Sequence, residues 1–412
     1  MKFIARSLRE RDFRLYFSGQ SVSFVGTWVQ QVALAWIAYQ QTGSALVLGL
    51  VTFAGQIPSL LLCPLGGMLA DRVSHRKILV ATQVIEMTVA AVLAIFAAGG
   101  MLSPAILVGA SLAVGIAVAF EMPARHAFIG EIVHETSNVS NAIALNSVSF
   151  NAARLLGPAL GGLVLASYGD AACFAVNALS YLPEVYTLLA IRPVKSDHPR
   201  TATAGFAASI EYLRWNLTAR WLLVTVACAS VALSPFVMLL PVYAKDVLGG
   251  DPSVLGMLMG AAGCGALASG LLMARRRCVA GIERNIVAGC LIAGVGAGLL
   301  AWNTHYSTAL LLMVVSGWCT VKIVTSSHAL LQAIVPDRVR GQIMAFYTMC
   351  YGGAVSVTSL AVGALTQVLG VQYMFVLSAA VYLAAGFALR GMLPELREEM
   401  RPVLLKKGLV AQ

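Results

Sequence analysis

Six ionisable residues lie inside long apolar stretches of the sequence, where an isolated charge is costly. They are Glu86, Glu121, Arg125, Arg154, Glu184 and Lys322. Ionisable groups in such surroundings usually belong to an ion pair or to a pathway for protons, ions or substrates. The acids therefore indicate proton exchange by a buried carboxyl group, and the bases indicate contact with an anion.

The pairing of these residues is open in the sequence. Glu121 and Arg125 are four residues apart, so on a helix they either neutralise each other or leave Glu121 a proton or cargo role. Arg154 lies deep in an apolar stretch and needs an anion. That anion is either a substrate or a protein carboxylate, for which Glu86 and Glu184 are candidates.

Other polar residues near these stretches are ambiguous too. Lys322 either extends its ammonium group to the membrane surface or meets an anionic cargo. Gln31 belongs to a row of polar residues in the first apolar stretch, which either lines a cavity or contacts neighbouring helices. We interpret His126 and His328 as caps near the membrane surface rather than as proton carriers.

The composition predicts a membrane protein. Of the 412 residues, 59% are hydrophobic and 11% are charged, whereas a soluble domain has about 25% charged residues. Apolar stretches of about 20 residues are typical of membrane-spanning helices. We count twelve such stretches: 14–39, 45–70, 78–99, 104–122, 141–168, 171–191, 220–243, 253–274, 285–302, 306–328, 341–368 and 371–391.

The net charge of +10 reflects topology. Lys and Arg concentrate before the first stretch, after the last one and in alternate connections, as cytoplasmic segments do. Both termini are therefore predicted to be cytoplasmic, in a bacterial inner membrane, and no nucleic-acid partner is expected. We find no phosphate-binding loop, metal-spaced cluster or nucleophile–His arrangement. We therefore expect no enzymatic activity, no metal and no cofactor.

The chain is predicted to consist of two similar halves. Six apolar stretches precede the polar segment 192–219 and six follow it, and "HAFIGEIV" at 126–133 resembles "HALLQAIV" at 328–335. Internal repeats of this kind are typical of transporters. We predict a six-helix bundle at 1–191, a cytoplasmic linker at 192–219 and a second six-helix bundle with a cytoplasmic tail at 220–412.

The connection between the second and third stretches carries a recognisable motif. It reads "GMLADRVSHRK" at 67–77, and it resembles the loop signature G-x-x-x-D-R-x-G-R-R/K of the major facilitator superfamily. The matching residues are Gly67, Asp71, Arg72, Arg76 and Lys77. Ser74 stands where the signature has its second glycine, and His75 where it has a basic residue.

This resemblance implies an all-α membrane protein with twelve transmembrane helices in two pseudo-symmetric bundles. It also implies that Asp71 latches the bundles together by facing the start of the eleventh helix, which includes Arg340. Gly67 would permit close helix contact, and the three basic residues would pair with acids at the end of the fourth helix, such as Glu131. The alternative is an ordinary basic cytoplasmic loop.

A second motif lies in the fifth stretch. "ARLLGPALGG" at 153–162 resembles the exporter signature G-x-x-x-G-P-x-x-G-G of the same superfamily, with Ala153 in place of the first glycine. The residues concerned are Arg154, Gly157, Pro158, Gly161 and Gly162. Small residues here allow close helix packing, so ordinary packing is the alternative. Further segments, such as "FEMPARHAF" and "NALSYL", resemble the branch that includes the enterobactin exporter and macrolide-efflux proteins.

These observations predict a secondary transporter, which we expect to act as a monomer by alternating access. The favoured function is proton-coupled export of an amphipathic small molecule, such as a drug or a siderophore. Arg154 and Lys322 favour an anionic or partly anionic cargo. The alternatives are a transporter of lysophospholipids or organic anions, and a non-transporting membrane sensor built on a transporter scaffold.

Overall fold

Long helices make up almost all of the structure. The computed structural model describes residues 6–133, 135–191, 206–274 and 281–406, and within these ranges it contains no strand. The helices are α1 (Arg11–Thr42), α2 (Ala45–Ala70), α3 (His75–Ala98), α4 (Pro104–Ile132), α5 (Thr136–Ala190), α6 (Phe206–Trp215), α7 (Leu217–Met238), α8 (Leu240–Val242), α9 (Pro252–Ala274), α10 (Ile282–Trp302), α11 (Tyr306–Ile334), α12 (Asp337–Thr348), α13 (Ala354–Leu369) and α14 (Val371–Lys406).

The helices account for the predicted membrane spans. Eleven helical segments among the described residues are long and apolar enough to cross a bilayer. One of them, α5, has 55 residues, a length of about 80 Å at 1.5 Å per residue, against a hydrocarbon core of about 30 Å. It breaks at Gly169, whose φ of 78° is readily adopted only by glycine. The all-α membrane fold is therefore confirmed, with two crossings in α5.

The described residues form two compact units. The first comprises 1–198 and 240–263, and the second comprises 199–239 and 264–412. The predicted division into 1–191, 192–219 and 220–412 stays a prediction. Of the predicted linker, residues 206–219 form α6 and the start of α7, and residues 192–205 lie outside the described ranges.

In the first unit, α1 packs along α5, and α4 packs against α2 and α3. One end of this unit is an apolar core that includes the fully buried side chains of Phe13, Leu79, Phe128 and Leu188. Between membrane helices such side chains contribute through close van der Waals packing. This core fixes the positions of α1, α3, α4 and the second part of α5, on which the polar residues below are carried.

In the second unit, α14 packs against α7 and α10 and extends beyond the predicted span end at 391. Polar contacts explain the extension. The Glu399 carboxylate accepts hydrogen bonds from the backbone N–H groups of Leu217 at 3.1 Å and Thr218 at 2.8 Å. Arg397 Nε donates to Glu283 Oε1 at 2.9 Å. The end of α14 thus caps the start of α7 through Glu399 and contacts α10 through the ion pair of Arg397 with Glu283.

Candidate functional site

Three of the predicted acids surround one arginine inside the first unit. Glu121 and Arg125 lie on α4, Glu86 lies on α3 and Glu184 lies on the second part of α5. Their exposed fractions are 3%, 8%, 5% and 0%, respectively. The sequence indicated these residues separately, and the structure brings them into one buried cluster.

Arg125 is the centre of this acid cluster. Its Nη2 atom donates to Glu121 Oε1 in a close ion pair, and the same atom lies 3.6 Å from Glu184 Oε1. The guanidinium carbon lies 4.8 Å from the centre of the Phe24 ring, within cation–π range. Of the two alternatives for Glu121 and Arg125, the pairing one turn apart is therefore present.

Gln20 of α1 contacts the same arginine, and Tyr16 of α1 contacts Gln20. The Gln20 side-chain oxygen faces Arg125. It accepts hydrogen bonds from Arg125 Nε at 3.1 Å and from Arg125 Nη1 at 3.2 Å. In this orientation the oxygen also accepts from the Tyr16 hydroxyl at 2.9 Å. The cluster is thereby tied to α1. The polar row in α1 was the only sequence signal for this contact.

The remaining donors of the cluster are unevenly distributed over the acids. Gln83 Nε2 donates to Glu121 Oε1 at 2.8 Å, and the Tyr181 hydroxyl donates to Glu86 Oε2 at 2.9 Å. Both carboxyl oxygens of Glu184 lack a hydrogen-bond partner among the described residues. The sequence reasoning missed Gln83 and Tyr181, because uncharged polar residues within a span are common.

The charges of the cluster do not balance. One guanidinium compensates one carboxylate, and a further buried carboxylate without a charge partner costs free energy. A proton bound to a carboxyl group removes that cost. This arrangement can therefore bind and release a proton inside the first unit.

Of the two alternatives for Arg154, an ion pair with Glu86 or Glu184 is not present. Glu86 is bonded to Tyr181 and Glu184 lies beside Arg125, whereas the Arg154 guanidinium carbon lies 6.0 Å from the Trp28 ring centre. Arg154 is half-buried and makes no ion pair with a described residue. The position of Arg154 in the sequence predicted its depth in the membrane. It did not predict which neighbouring helix the side chain faces.

The sequence allowed two alternatives each for the surroundings of Lys322 and Gln31. The Lys322 ammonium group lies 4.0 Å from the Trp318 ring centre, one turn away on α11. Gln31 is exposed, while its neighbour Gln30 is buried and accepts from Asn177 Nδ2 at 2.9 Å. The contact with a neighbouring helix in α1 thus belongs to Gln30, and the role of Gln31 stays a prediction. His328 packs edge-on against Tyr347, with 5.2 Å between ring centres.

The motif at 67–77 lies at the junction of α2 and α3. Asp71, Arg72 and Lys77 are exposed, and the Asp71 N–H group donates to the Gly67 carbonyl at 3.0 Å. His75 Nδ1 lies 2.7 Å from Glu131 Oε1. The expected partner of the motif's basic residues is therefore bound by the histidine that departs from the family signature.

Arg76 makes a different contact from the one expected. Its Nη2 atom donates to the Leu189 carbonyl at 2.6 Å and so connects the motif to the end of α5. In the second unit, Arg340 Nη2 donates to the Val335 carbonyl at 3.1 Å. The predicted latch between Asp71 and the start of α12 joins residues of the two units and stays a prediction.

The glycines of the helix-five motif lie at close helix contacts. A methyl group added to Gly162 would lie 2.7 Å from the Pro252 carbonyl oxygen and 3.0 Å from Gly256 Cα on α9. One added to Gly161 would lie 2.9 Å from Val29 Cα on α1, and Gly157 likewise faces Trp28. Pro158 lies inside the helix between them. The motif therefore packs α5 against α1 and α9.

A polar contact at the other end of α1 was not predicted. The Tyr39 hydroxyl donates to Asp246 Oδ2 in a short hydrogen bond. The Lys245 ammonium group lies 5.7 Å from the Tyr39 ring centre. The partners are 207 residues apart, and no pattern in the sequence links them.

One small pocket lies within the second unit. Its volume is about 10 Å³, and the residues that line it include Ser230, Thr320, Tyr351 and Tyr382 together with apolar side chains. Pockets for drug-sized ligands have about 300–1,000 Å³. This pocket is therefore too small to hold the predicted cargo by itself.

The chain is similar to known transporters over most of its length. A family model described as "Transmembrane secretion effector" matches residues 5–410. The chain is 24% identical over 346 residues to the staphyloferrin A transporter of Staphylococcus aureus, covering 82% of this chain and 86% of that protein. It is 25% identical over 269 residues to macrolide efflux protein A of Streptococcus pyogenes, covering 63% of this chain and 65% of that protein.

A solved structure shows the same fold. It is a bacterial homologue of the human lysosomal transporter Spinster in an inward-facing, unoccupied conformation, with a TM-score of 0.72 and 14% sequence identity. The match covers 96% of this chain and 98% of that chain. At this level of identity the similarity concerns the fold alone.

Proposed function

Since the chain belongs to the transmembrane secretion effector family of the major facilitator superfamily, we propose that it exports an amphipathic small molecule across the bacterial inner membrane. The energy source is the inward proton gradient, and the carrier is a monomer with both termini in the cytoplasm. It is a multi-pass membrane transporter, and export is the direction that the family description and the macrolide-efflux relative favour.

The acid cluster carries the proton-coupled part of this proposal. Two buried acids, Glu121 and Glu184, lie within ion-pair distance of Arg125, and Glu86 is a third buried acid near them, so at least one carboxyl group is stabilised by a proton. Protonation changes the charge beside Arg125. Because Arg125 donates hydrogen bonds to Gln20, that change reaches α1. Glu86, Glu121 and Glu184 are the candidate proton carriers.

The cargo is proposed to be a siderophore or a drug with anionic character. The names of the relatives, a staphyloferrin A transporter and a macrolide efflux protein, support these two classes. Arg154 beside Trp28 and Lys322 beside Trp318 each combine a cation with an aromatic face. Such a pair suits an amphipathic anion, whose apolar part packs on the ring while its charge meets the cation. Gln31 is a further candidate for contact with cargo.

The motif at 67–77 is proposed to control alternating access. Asp71 would latch the cytoplasmic side by facing the start of α12, where the N-terminal end of a helix attracts a carboxylate. Arg72, Lys77 and Arg340 supply further charge at this latch. The helix-five motif would serve as the packing surface about which the helices rearrange.

Gradient-driven uptake into inverted membrane vesicles tests this function. A panel of fluorescent drugs and catecholate siderophores is offered with an imposed pH gradient, and uptake is compared for wild type and Asp71→Asn. We expect uptake of at least one compound by wild type and its loss in Asp71→Asn, because the latch requires the carboxylate charge.

Glu395→Gln is the matched control, since Glu395 is an exposed acid on α14, and we expect it to keep wild-type uptake. Gradient-independent uptake by wild type would refute proton coupling. Movement of lysophospholipids alone would assign the transporter to lipids, and movement of no compound at all would favour the sensor alternative.

A further inference from the structure

We infer that Glu184 is the carboxyl group that binds the coupling proton. This inference rests on the proposed proton-coupled export and selects one of its three candidate acids. The argument uses burial, the distribution of hydrogen-bond donors and the position of Arg125.

The side chain of Glu184 is slightly more buried than the side chains of Glu86 and Glu121. Its exposed fraction is 0%, against 5% for Glu86 and 3% for Glu121. A carboxylate that is fully removed from water depends entirely on protein groups for compensation. The donors that surround each acid therefore decide which of them is the least stable as an anion.

The hydrogen bonds favour Glu86 and Glu121 as the anions. Glu121 accepts from both Arg125 and Gln83, and Glu86 accepts from the Tyr181 hydroxyl. One oxygen of Glu86 also lacks a partner within hydrogen-bond distance among the described residues, whereas both oxygens of Glu184 lack one, and the neutral Ser23 hydroxyl is the donor that faces Glu184. A protonated carboxyl group tolerates this environment far better than a carboxylate does.

The groups that face Glu184 come from three other helices. Arg125 lies on α4, Glu86 on α3, and Tyr16 and Ser23 on α1. Glu86 and Tyr16 offer negative or neutral groups and Ser23 offers a neutral hydroxyl donor, so among these groups Arg125 is the cation available to a Glu184 carboxylate. The 3.6 Å between Arg125 Nη2 and Glu184 Oε1 is longer than a charge-assisted hydrogen bond of about 2.7–2.9 Å.

This geometry indicates how proton release acts on the helices. When the O–H bond of Glu184 breaks, the proton leaves and the electron pair stays on the carboxylate. The new anion draws Arg125 toward it, and Arg125 then gives up part of its contact with Glu121 and Gln20. Because Gln20 belongs to α1, proton release changes how α1 is held in the first unit.

Infrared spectroscopy of the whole protein in lipid tests the assignment without a known cargo. A protonated carboxyl group has a carbonyl-stretch band that vanishes when the proton leaves. We expect wild type to show such a band that disappears with rising pH, and Glu184→Gln to lack it. Glu86→Gln is the matched control, because Glu86 is a buried acid of the same cluster, and we expect it to retain the band.

Persistence of the band in Glu184→Gln, or its loss in Glu86→Gln or Glu121→Gln instead, would overturn the assignment. If Glu184→Gln does not fold, Glu184→Asp serves in its place. It keeps a carboxyl group in altered surroundings, so we expect its band to shift in frequency, and an unshifted band would equally overturn the assignment.

Transport measurements separate this inference from the proposed function. We expect Glu184→Gln to bind cargo as wild type does and to lose gradient-driven uptake to the level without a gradient. Wild-type uptake that ignores the gradient would refute the proposed function. Gradient-driven uptake retained by Glu184→Gln would refute only the choice of Glu184.

Discussion

Arg125 holds the acid cluster together, and its environment explains why the cluster tolerates burial. Its guanidinium group forms an ion pair with Glu121 and lies near Glu184. The same group lies over the face of the Phe24 ring and donates hydrogen bonds to the Gln20 side-chain oxygen. A buried pair of this kind contributes little net stability compared with an apolar pair. Removing one partner, however, leaves an uncompensated charge.

Arg125→Gln should therefore lower the free energy of unfolding by about 3–5 kcal/mol. Arg154→Gln is the control, because Arg154 makes no ion pair with a described residue and its guanidinium group lies 6.0 Å from the Trp28 ring centre, and it should cost about 0.5–1 kcal/mol. Unfolding in detergent micelles, followed by circular dichroism, measures both. The double variant Arg125→Gln, Glu121→Gln should regain part of the loss. Equal losses for Arg125→Gln and Arg154→Gln would contradict the role of Arg125 as the central counter-charge.

Contacts between helices decide where the motifs of the sequence come to lie. In the first unit, α5 and α9 approach each other through glycine, with Gly256 of α9 against Pro158 and Gly162. Helices packed this closely lose contact when either side gains a side chain. The exporter-type motif is thus a packing surface in this structure, and its proposed role in transport depends on that surface.

Gly256→Val should disrupt the contact, because its Cβ atom would overlap the Pro158 carbonyl oxygen and the backbone has to move. We expect a loss of stability of about 1–3 kcal/mol, as in other overpacked sites, together with loss of uptake in inverted vesicles. Gly270→Val on the same helix is the control, since a Cβ atom there meets no atom within 4 Å. A Gly256→Val variant as stable and as active as Gly270→Val would refute the packing role.

The sequence predicted the helices well and the contacts between them poorly. Apolar stretches such as 45–70 and 104–122 are long and uninterrupted, so their length alone defines a span. The Glu121–Arg125 contact was predictable because it lies within one helix turn. Tyr39 and Asp246, by contrast, are 207 residues apart. Arg154 could not be oriented, because the apolar periodicity of a lipid-facing helix does not identify its neighbours.

Across the whole chain, the two motifs and the acid cluster are unevenly divided between the two units. The first unit holds the acids, the motif at 67–77 and the helix-five motif, and it includes residues 240–263 from the second half of the sequence. The second unit holds Lys322, Arg340 and the capping tail of α14. The proposed proton binding belongs to the first unit alone, so under this proposal a change of charge at one carboxyl group drives the transport cycle.

Cargo-dependent proton movement is the measurement that tests proton-coupled export most directly. Purified protein is placed in lipid vesicles that contain a pH-sensitive dye, and the drug or siderophore selected from the panel is added on one side. We predict that cargo entering the vesicles drives protons out and that Glu184→Gln abolishes this proton flux. Cargo transport by wild type with no accompanying proton flux would contradict the account.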